Sequence, residues 1–169
     1  KSLGLTEISN FKPNEKIIDY ILERDNKELA NLSVESFVDE VSSLSPAPGG
    51  GSVSALSGSL GAALMSMVAN LTYNKKGYEE YNQRISDIGI SAQKLKKDLL
   101  ILIDEDTRAF DGIMNAFRMP KKTDEEKAAR LKAVDLATKN AIDTPISIMS
   151  KCKNLFDIIE DLVKYGNKN

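Results

Sequence analysis

Gly49-Gly50-Gly51-Ser52-Val53-Ser54-Ala55-Leu56-Ser57-Gly58-Ser59-Leu60-Gly61-Ala62-Ala63-Leu64-Met65-Ser66-Met67-Val68-Ala69-Asn70-Leu71-Thr72 is the stretch whose reading decides the fold. It carries two stripes at helical spacing: large residues at Leu56, Leu60, Leu64, Met67 and Leu71, and small or polar ones at Ser54, Gly58, Ala62, Ser66 and Asn70. Small residues every fourth position let another backbone approach closely, and the large stripe is expected to fill a core. Both faces should therefore be covered, which makes residues 52–72 the central helix of a bundle. Val53–Leu71 is also the longest apolar run, but its serines, glycines and Asn70 make it too polar for a membrane span.

Upstream, Ser33 is a candidate N-cap, followed by Phe37, Val41 and Leu44 at i, i+4 and i+7. This short helix stops at Ser45-Pro46-Ala47-Pro48. Downstream, the polar turn Asn74-Lys75-Lys76-Gly77 leads into a helical pattern from Tyr78 to Phe117, with Gly89 as the place for a kink. Thr123-Asp124-Glu125-Glu126 is a capping-box signature that announces a further helix. Thr144-Pro145 reads either as a fresh start or as a kink. The last apolar positions, Ile148, Cys152, Leu155, Ile159 and Leu162, close at Gly166. Strand alternation is absent, so the expected class is all-α: an antiparallel up-and-down bundle with a long central helix, dimerising through its helices. Residues 1–31, with Gly4, Pro13 and one amphipathic stretch at Ile17-Ile18-Ile21-Leu22, read as a linker; the helical domain is placed at 32–169.

Composition narrows the chemistry. The 169 residues contain no histidine and one cysteine, Cys152. That excludes the usual zinc sites, a histidine-based nucleophile pair and an internal disulfide, so no metal site is expected. Proton transfer would fall to carboxylate, lysine or tyrosine. A formal charge of −2, with no basic block, gives no footprint for nucleic acid. No hydrophobic leader opens the sequence, and the cysteine usage fits a reducing cytoplasm.

Two stretches can carry chemistry. Along Leu95, Leu99, Leu102, Asp106, Phe110, Ile113 and Phe117, Asp106 stands where the period calls for a hydrophobe. Asp104 points about 200° away round the helix. A carboxylate facing a core is poised as a general acid or base, although one that caps or pairs with a neighbouring helix fits the same position. Asp104 with Arg108 forms an i, i+4 pair, read as a solvated surface ion pair. The second stretch is Ser45 through Ser52. Free N–H groups at Gly49, Gly50, Gly51 and Ser52 can meet an anion or ligand backbone, or the turn can simply pack two helices. Lys75, Lys76, Arg118, Lys121 and Lys122 lie near helix ends, where cations suit the dipole.

Phe37-Val38 with Ser45-Pro46-Ala47-Pro48-Gly49-Gly50-Gly51-Ser52-Val53, followed by Asp104-x-Asp106-x-x-Ala109-Phe110, resembles the cyclodeaminase domain of the formiminotransferase-cyclodeaminase family, over about Leu32 to Gly166-Asn167. Lys1-Ser2-Leu3-Gly4-Leu5-Thr6-Glu7 looks like the junction to the preceding transferase domain. The resemblance implies conversion of 5-formiminotetrahydrofolate to 5,10-methenyltetrahydrofolate and ammonia in histidine breakdown, or, in relatives, methenyltetrahydrofolate cyclohydrolysis. A non-catalytic helical dimerisation module is the reading from another class. The family further implies a tetrahydrofolate substrate with no prosthetic group, a homodimer that enters larger rings when fused to the transferase, and further helix beyond Asn167 that this chain lacks. On this reading Asp106 is the acid/base candidate and Asp104 the second catalytic choice, stabilising the cationic amidinium or positioning the partner of Asp106. Gly49, Gly50, Gly51 and Ser52 face the folate, and Lys75, Lys76, Arg118 and Asn167 are substrate-binding candidates.

Overall fold

The structure, a computed structural model, describes residues 28–168; the Ile17–Leu22 stretch lies outside them. A short 3-10 turn, Leu29–Asn31, precedes α1 (Val34–Val41), α2 (Gly50–Thr72), α3 (Asn82–Arg118) and α4 (Asp124–Tyr165), with a second 3-10 turn at Glu79–Tyr81. No strand occurs among the described residues.

The caps form as their sequences dictate. The Ser33 hydroxyl accepts from the Ser36 N–H at the start of α1. At α4 the Thr123 hydroxyl accepts from Glu126 N while the Glu126 carboxylate accepts from Thr123 N, a complete capping box. Gly89 does not interrupt α3, and Thr144-Pro145 does not start a new helix: α4 runs through Pro145.

The α2 helix lies antiparallel to α3. Ser52 Oγ donates to the Ile103 carbonyl (2.7 Å), Ser59 Oγ to the Lys96 carbonyl (3.2 Å), and Gln93 Nε2 to Ser66 Oγ (2.7 Å). Antiparallel α4 is pinned to α3 by Lys151–Asp98 (2.7 Å) and Arg84–Asp161. The chain therefore runs up, down and up, with α2 and α4 parallel to one another. Their C-terminal ends join where Asn167 N donates to Thr72 Oγ1 (2.8 Å).

The expected core face of α2 is wrong. Ser52, Ala55, Ser59, Ala62, Met65, Ser66, Ala69 and Thr72 are buried, whereas Leu60, Leu64, Met67 and Leu71 of the large stripe are 49–59% exposed. The cause is packing distance: small side chains bring the α2 backbone against α3, and the serine hydroxyls are satisfied by carbonyls or by Gln93, so they bury without an orphaned polar atom. An apolar groove of about 750 Å³ runs beside this stripe between α2 and α4, walled by Leu64, Val68, Phe156, Ile159 and Val163.

By length and composition α2 is also the one described helix apolar enough to cross a membrane. Its three serines bonded into α3 give it the character of a packing helix instead.

Beyond α2 the bundle thins to two helices. The α2 start is level with Asp106, so α3 continues past it for twelve residues, roughly 18 Å. Its partner, α4 up to Ser147, has no buried residue, and α3 has only Ala116 buried beyond Asp104. This projecting arm is held by the capping box at its tip and by Arg130 Nε donating to the Phe117 carbonyl (3.3 Å).

Candidate functional site

The site forms where three elements meet: the turn before α2, the middle of α3, and α4 just before Pro145. Pro48 is buried, and Gly49 caps α2 with extended backbone and no side chain. The first N–H groups of the helix are thereby presented to α3.

Asp106 fills that position. Its Oδ2 accepts from Ser52 N (2.9 Å) and lies 3.3 Å from Ser52 Oγ. The Ser52 hydroxyl, fully buried, is committed to the Ile103 carbonyl at 2.7 Å, so the main-chain N–H is the firm donor. Thr107 Oγ1 stands 3.3 Å from the same Ser52 hydroxyl. Because that hydroxyl spends its proton on Ile103, Thr107 is the donor of the pair.

A Cβ on Gly51 would fall 2.0 Å from Asp106 Oδ1. The glycine was expected to admit a ligand; what comes close is the chain's own carboxylate. Asp106 is half-buried, with one oxygen on a polar helix start, rather than fully desolvated in the core as its place in the periodicity suggested. Of the two possibilities open from sequence, capping the neighbouring helix is the geometry that forms. Oδ1 accepts no bond among the described residues, and Asp106 lines a pocket of about 140 Å³ with Pro46, Ala47, Thr107, Phe110 and Ala141.

Asp104 is the more deeply buried carboxylate, at 8% exposure. Its oxygens accept from Leu29 N (2.6 Å) and Ala30 N (3.4 Å), tying the first 3-10 turn to α3. The expected Asp104–Arg108 ion pair does not form; Arg108 lies 3.6 Å from Glu28 instead. The main chain of the entering turn reaches Asp104 first, and two aimed N–H donors outcompete a flexible guanidinium one turn away. Leu29–Asn31, assigned to the linker from sequence, thus packs on the bundle.

The remaining candidates lie elsewhere. Lys75 Nζ donates to Asn167 Oδ1 (2.6 Å) and sits 5.5 Å from the centre of the Tyr78 ring. This cluster is at the far end of α2, twenty residues or roughly 30 Å from Ser52. Lys76 is exposed beside it, and Arg118 is exposed at the arm tip. One chain brings Gly49, Gly51, Ser52 and Asp106 together, and separately Lys75 with Asn167; it does not join the two groups. Thr107, Phe110 and Ala141 were missed by sequence reasoning. Thr107 had a signal, being adjacent to Asp106, but Ala141 had none before α4 was known to run unbroken through Pro145. Among the described residues no group of three or more His, Cys, Asp or Glu side chains is arranged to hold a metal ion.

A helical bundle, without strands among the described residues and with one carboxylate seated on the first turn of its packing helix beside a small pocket, defines a helical domain with a carboxylate site. Comparison with known proteins gives it a family. The formiminotransferase-cyclodeaminase profile matches residues 33–169, and the chain belongs to that family. Methenyltetrahydrofolate cyclohydrolase of Methylorubrum extorquens is 41% identical over 139 residues, covering 82% of this chain and 67% of that protein. Formimidoyltransferase-cyclodeaminase of Gallus gallus is 35% identical over 167 residues, and the chain spans 31% of its length. The crystal structure of formiminotetrahydrofolate cyclodeaminase from Thermotoga maritima superposes with a TM-score of 0.72 at 32% identity, covering 84% of this chain and 67% of that one.

Proposed function

We propose that the chain carries a formimidoyltetrahydrofolate cyclodeaminase, an ammonia lyase that closes 5-formiminotetrahydrofolate to 5,10-methenyltetrahydrofolate. The carrying observation is Asp106: one oxygen is fixed by the Ser52 N–H, the other accepts no bond among the described residues, and the residue lines a small pocket. In this reading N10 attacks the cationic formimino carbon, and Asp106 takes the N10 proton as the N10–C bond forms. The same carboxyl then returns that proton to the exocyclic nitrogen, the C–N bond breaks with its electron pair, and ammonia leaves. Hydrogens and charge balance, and Asp106 ends as it began. No prosthetic group takes part; the tetrahydrofolate derivative is substrate.

Of the four residues at the start of α2, Gly49 lines the pocket and Gly50 is exposed beside it, while Gly51 and Ser52 seat the Asp106 carboxylate; Asp104 anchors the helix segment that carries Asp106. Lys75, Lys76 and Asn167 join the site only through a second copy. A homodimer formed on the exposed stripe of α2, with the helices antiparallel, brings the two ends of α2 together. Arg118 on the arm is reserved for the polyglutamate tail. The accompanying domain reading makes residues 1–31 the tail of a transferase domain and 32–169 the cyclodeaminase domain, in a cytoplasmic bifunctional enzyme of histidine breakdown whose dimers enter larger rings.

The test mixes the protein with 5-formiminotetrahydrofolate and follows methenyl absorbance together with ammonia release. Both rising in step, and both lost in Asp106→Asn, support the reading. Unchanged turnover in Asp106→Asn removes it. The second reading is methenyltetrahydrofolate cyclohydrolase, favoured by the 41% identity to a protein of that name; hydrolysis of the methenyl compound without ammonia turnover would select it. A folded dimer inactive on both substrates would select the dimerisation module.

A further inference from the structure

Ser52 is fully buried, and its hydroxyl oxygen has three polar neighbours: the Ile103 carbonyl at 2.7 Å, Asp106 Oδ2 at 3.3 Å and Thr107 Oγ1 at 3.3 Å. A hydroxyl carries one proton and two lone pairs. Thr107 fills one lone pair by donating, which leaves the single Ser52 proton between two acceptors. They differ in need. The Ile103 carbonyl lies inside α3, where the helical ladder supplies it with the Thr107 N–H, so it loses little when the serine turns away. Asp106 Oδ2 has only the Ser52 N–H as its other donor, and the strength of any bond to it follows the charge of the carboxyl.

We propose that Ser52 is a positioning residue whose hydroxyl has two settings, bonded to the Ile103 carbonyl while Asp106 is neutral and turned to Asp106 Oδ2 while the carboxyl is charged. The inference deepens the cyclodeaminase reading and rests on it for the reaction in which Asp106 changes charge. A hydrogen bond to an ionised group is roughly twice as strong as one between neutral groups, so the charge decides the setting. Turning requires Oγ to close on Oδ2 by roughly 0.5 Å. Rotation about one side-chain bond does this while the Ser52 N–H stays in place. As Asp106 gains the N10 proton the hydroxyl swings to Ile103, and as the proton passes to the exocyclic nitrogen it swings back. Ser52 itself transfers no proton and, being buried, touches no substrate. It supports the return step, because that step regenerates the charge it holds, with no movement of the helix start. Asp106 is the one titratable residue lining the pocket, whose walls come from the turn before α2, from α3 and from α4. On α3 itself Asp104 is bonded to the Leu29 turn, Arg108 stands by Glu28, and Glu105 is exposed.

The test compares Ser52→Ala with Ser59→Ala. Ser59 makes the same kind of bond, to the Lys96 carbonyl at 3.2 Å, with no carboxylate among its partners, so it measures what a packing serine is worth. Ser52→Ala keeps the main-chain N–H that seats Asp106, and alanine suits a helix, so the variant should fold. Two properties are read: turnover of 5-formiminotetrahydrofolate, and the infrared carboxylate stretch of Asp106 in protein labelled with 13C-aspartate at alkaline pH, identified by its loss in Asp106→Asn. The expected result for Ser52→Ala is about a tenfold fall in kcat, the loss of one hydrogen bond to a charged group, at unchanged KM. The Asp106 band should be displaced as well. Ser59→Ala should keep the parent kcat and band position, while both variants lose similar stability in urea. An unmoved Asp106 band in Ser52→Ala overturns the proposal, and so does a kcat equal to that of Ser59→Ala, which would make Ser52 a packing serine. The outcome separates from the parent reading. A displaced band in Ser52→Ala with no folate turnover in the parent protein would sink the assigned reaction and leave the two settings standing. Turnover lost in Asp106→Asn, with Ser52→Ala and Ser59→Ala alike in kcat and band position, would do the reverse.

Discussion

Gly51 and Asp106 occupy the same small space from opposite sides: a methyl group on the glycine would stand 2.0 Å from Asp106 Oδ1. Gly51→Ala must therefore push the carboxylate off the start of α2. The expected outcome is loss of most turnover and a stability loss of about 1–3 kcal/mol, read by urea unfolding alongside the ammonia assay. Wild-type activity in this variant would mean that the carboxylate need not sit where it does.

Asp104 and Asp106 should separate stability from chemistry. Asp104→Ala strands the Leu29 and Ala30 N–H groups, and the expected cost is about 1–3 kcal/mol with faster amide exchange at both. Asp106→Asn keeps an oxygen for Ser52 N–H, so unfolding should shift by less than about 1 kcal/mol while turnover disappears. Exchange at Leu29 that is indifferent to Asp104→Ala would break the assignment.

The outer stripe of α2 should govern assembly. Leu60→Lys combined with Leu64→Lys places two like charges on a face that is 59% exposed at both positions in the single chain. Sedimentation should then give monomer mass for the variant, against the dimer mass expected of the parent. Dimers that survive the double change must use another face.

Two glycines should respond with opposite signs to the same substitution. A Cβ on Gly58 would meet Cys152 Sγ at 2.9 Å and Leu99 Cδ1 at 3.2 Å, so Gly58→Ala forces a gap where α2, α3 and α4 converge and should destabilise. Gly112 in the arm has nothing within 4 Å, and Gly112→Ala should gain about 0.5–1 kcal/mol. Thermal unfolding of both variants against the parent reads the signs directly.

The cap of α4 supplies a pH-dependent prediction. Glu125 titrates below its ordinary value, because its own backbone N–H and then the Thr123 hydroxyl bond its carboxylate. A depressed carboxyl stabilises the fold above its unfolded pKa, and that contribution fades as pH falls through the folded one. Thr123→Ala should cost about 1 kcal/mol at pH 7, and the gap between variant and parent should narrow towards pH 3. A gap that widens on acidification would contradict this sign.

Much of the fold is legible in the sequence, because caps are local: Ser33, Thr123 with Glu126, and the Pro46–Gly51 breaker each act within a few residues. The facing of α2 is not. Hydropathy ranks Leu60 and Leu64 above Ser52, Ser59 and Ser66, yet backbone approach decides the packing, and carbonyls on α3 that satisfy those serines are invisible from α2 alone. The same limit applies at the site. Asp106 stands out from its periodicity, but its partner is a main-chain N–H 54 residues earlier in the chain, and Asp104's partners are 75 and 74 residues earlier. Periodicity identifies the face of a helix, not the atom that arrives on it.

The arm of α3 and α4 beyond Asp106 gives the molecule two tiers of cooperativity. The three-helix part shares its buried side chains and should open only with global unfolding. The two-helix part, with Ala116 as its sole buried residue past the junction, should exchange its amides through sub-global opening. The pocket lies on the seam, with Pro46 and Asp106 on the firm side and Ala141 on the loose one. A ligand that bridges the seam tethers the arm, so its binding should register as protection of amides far out along Asp124–Asn140, well beyond any atom it touches.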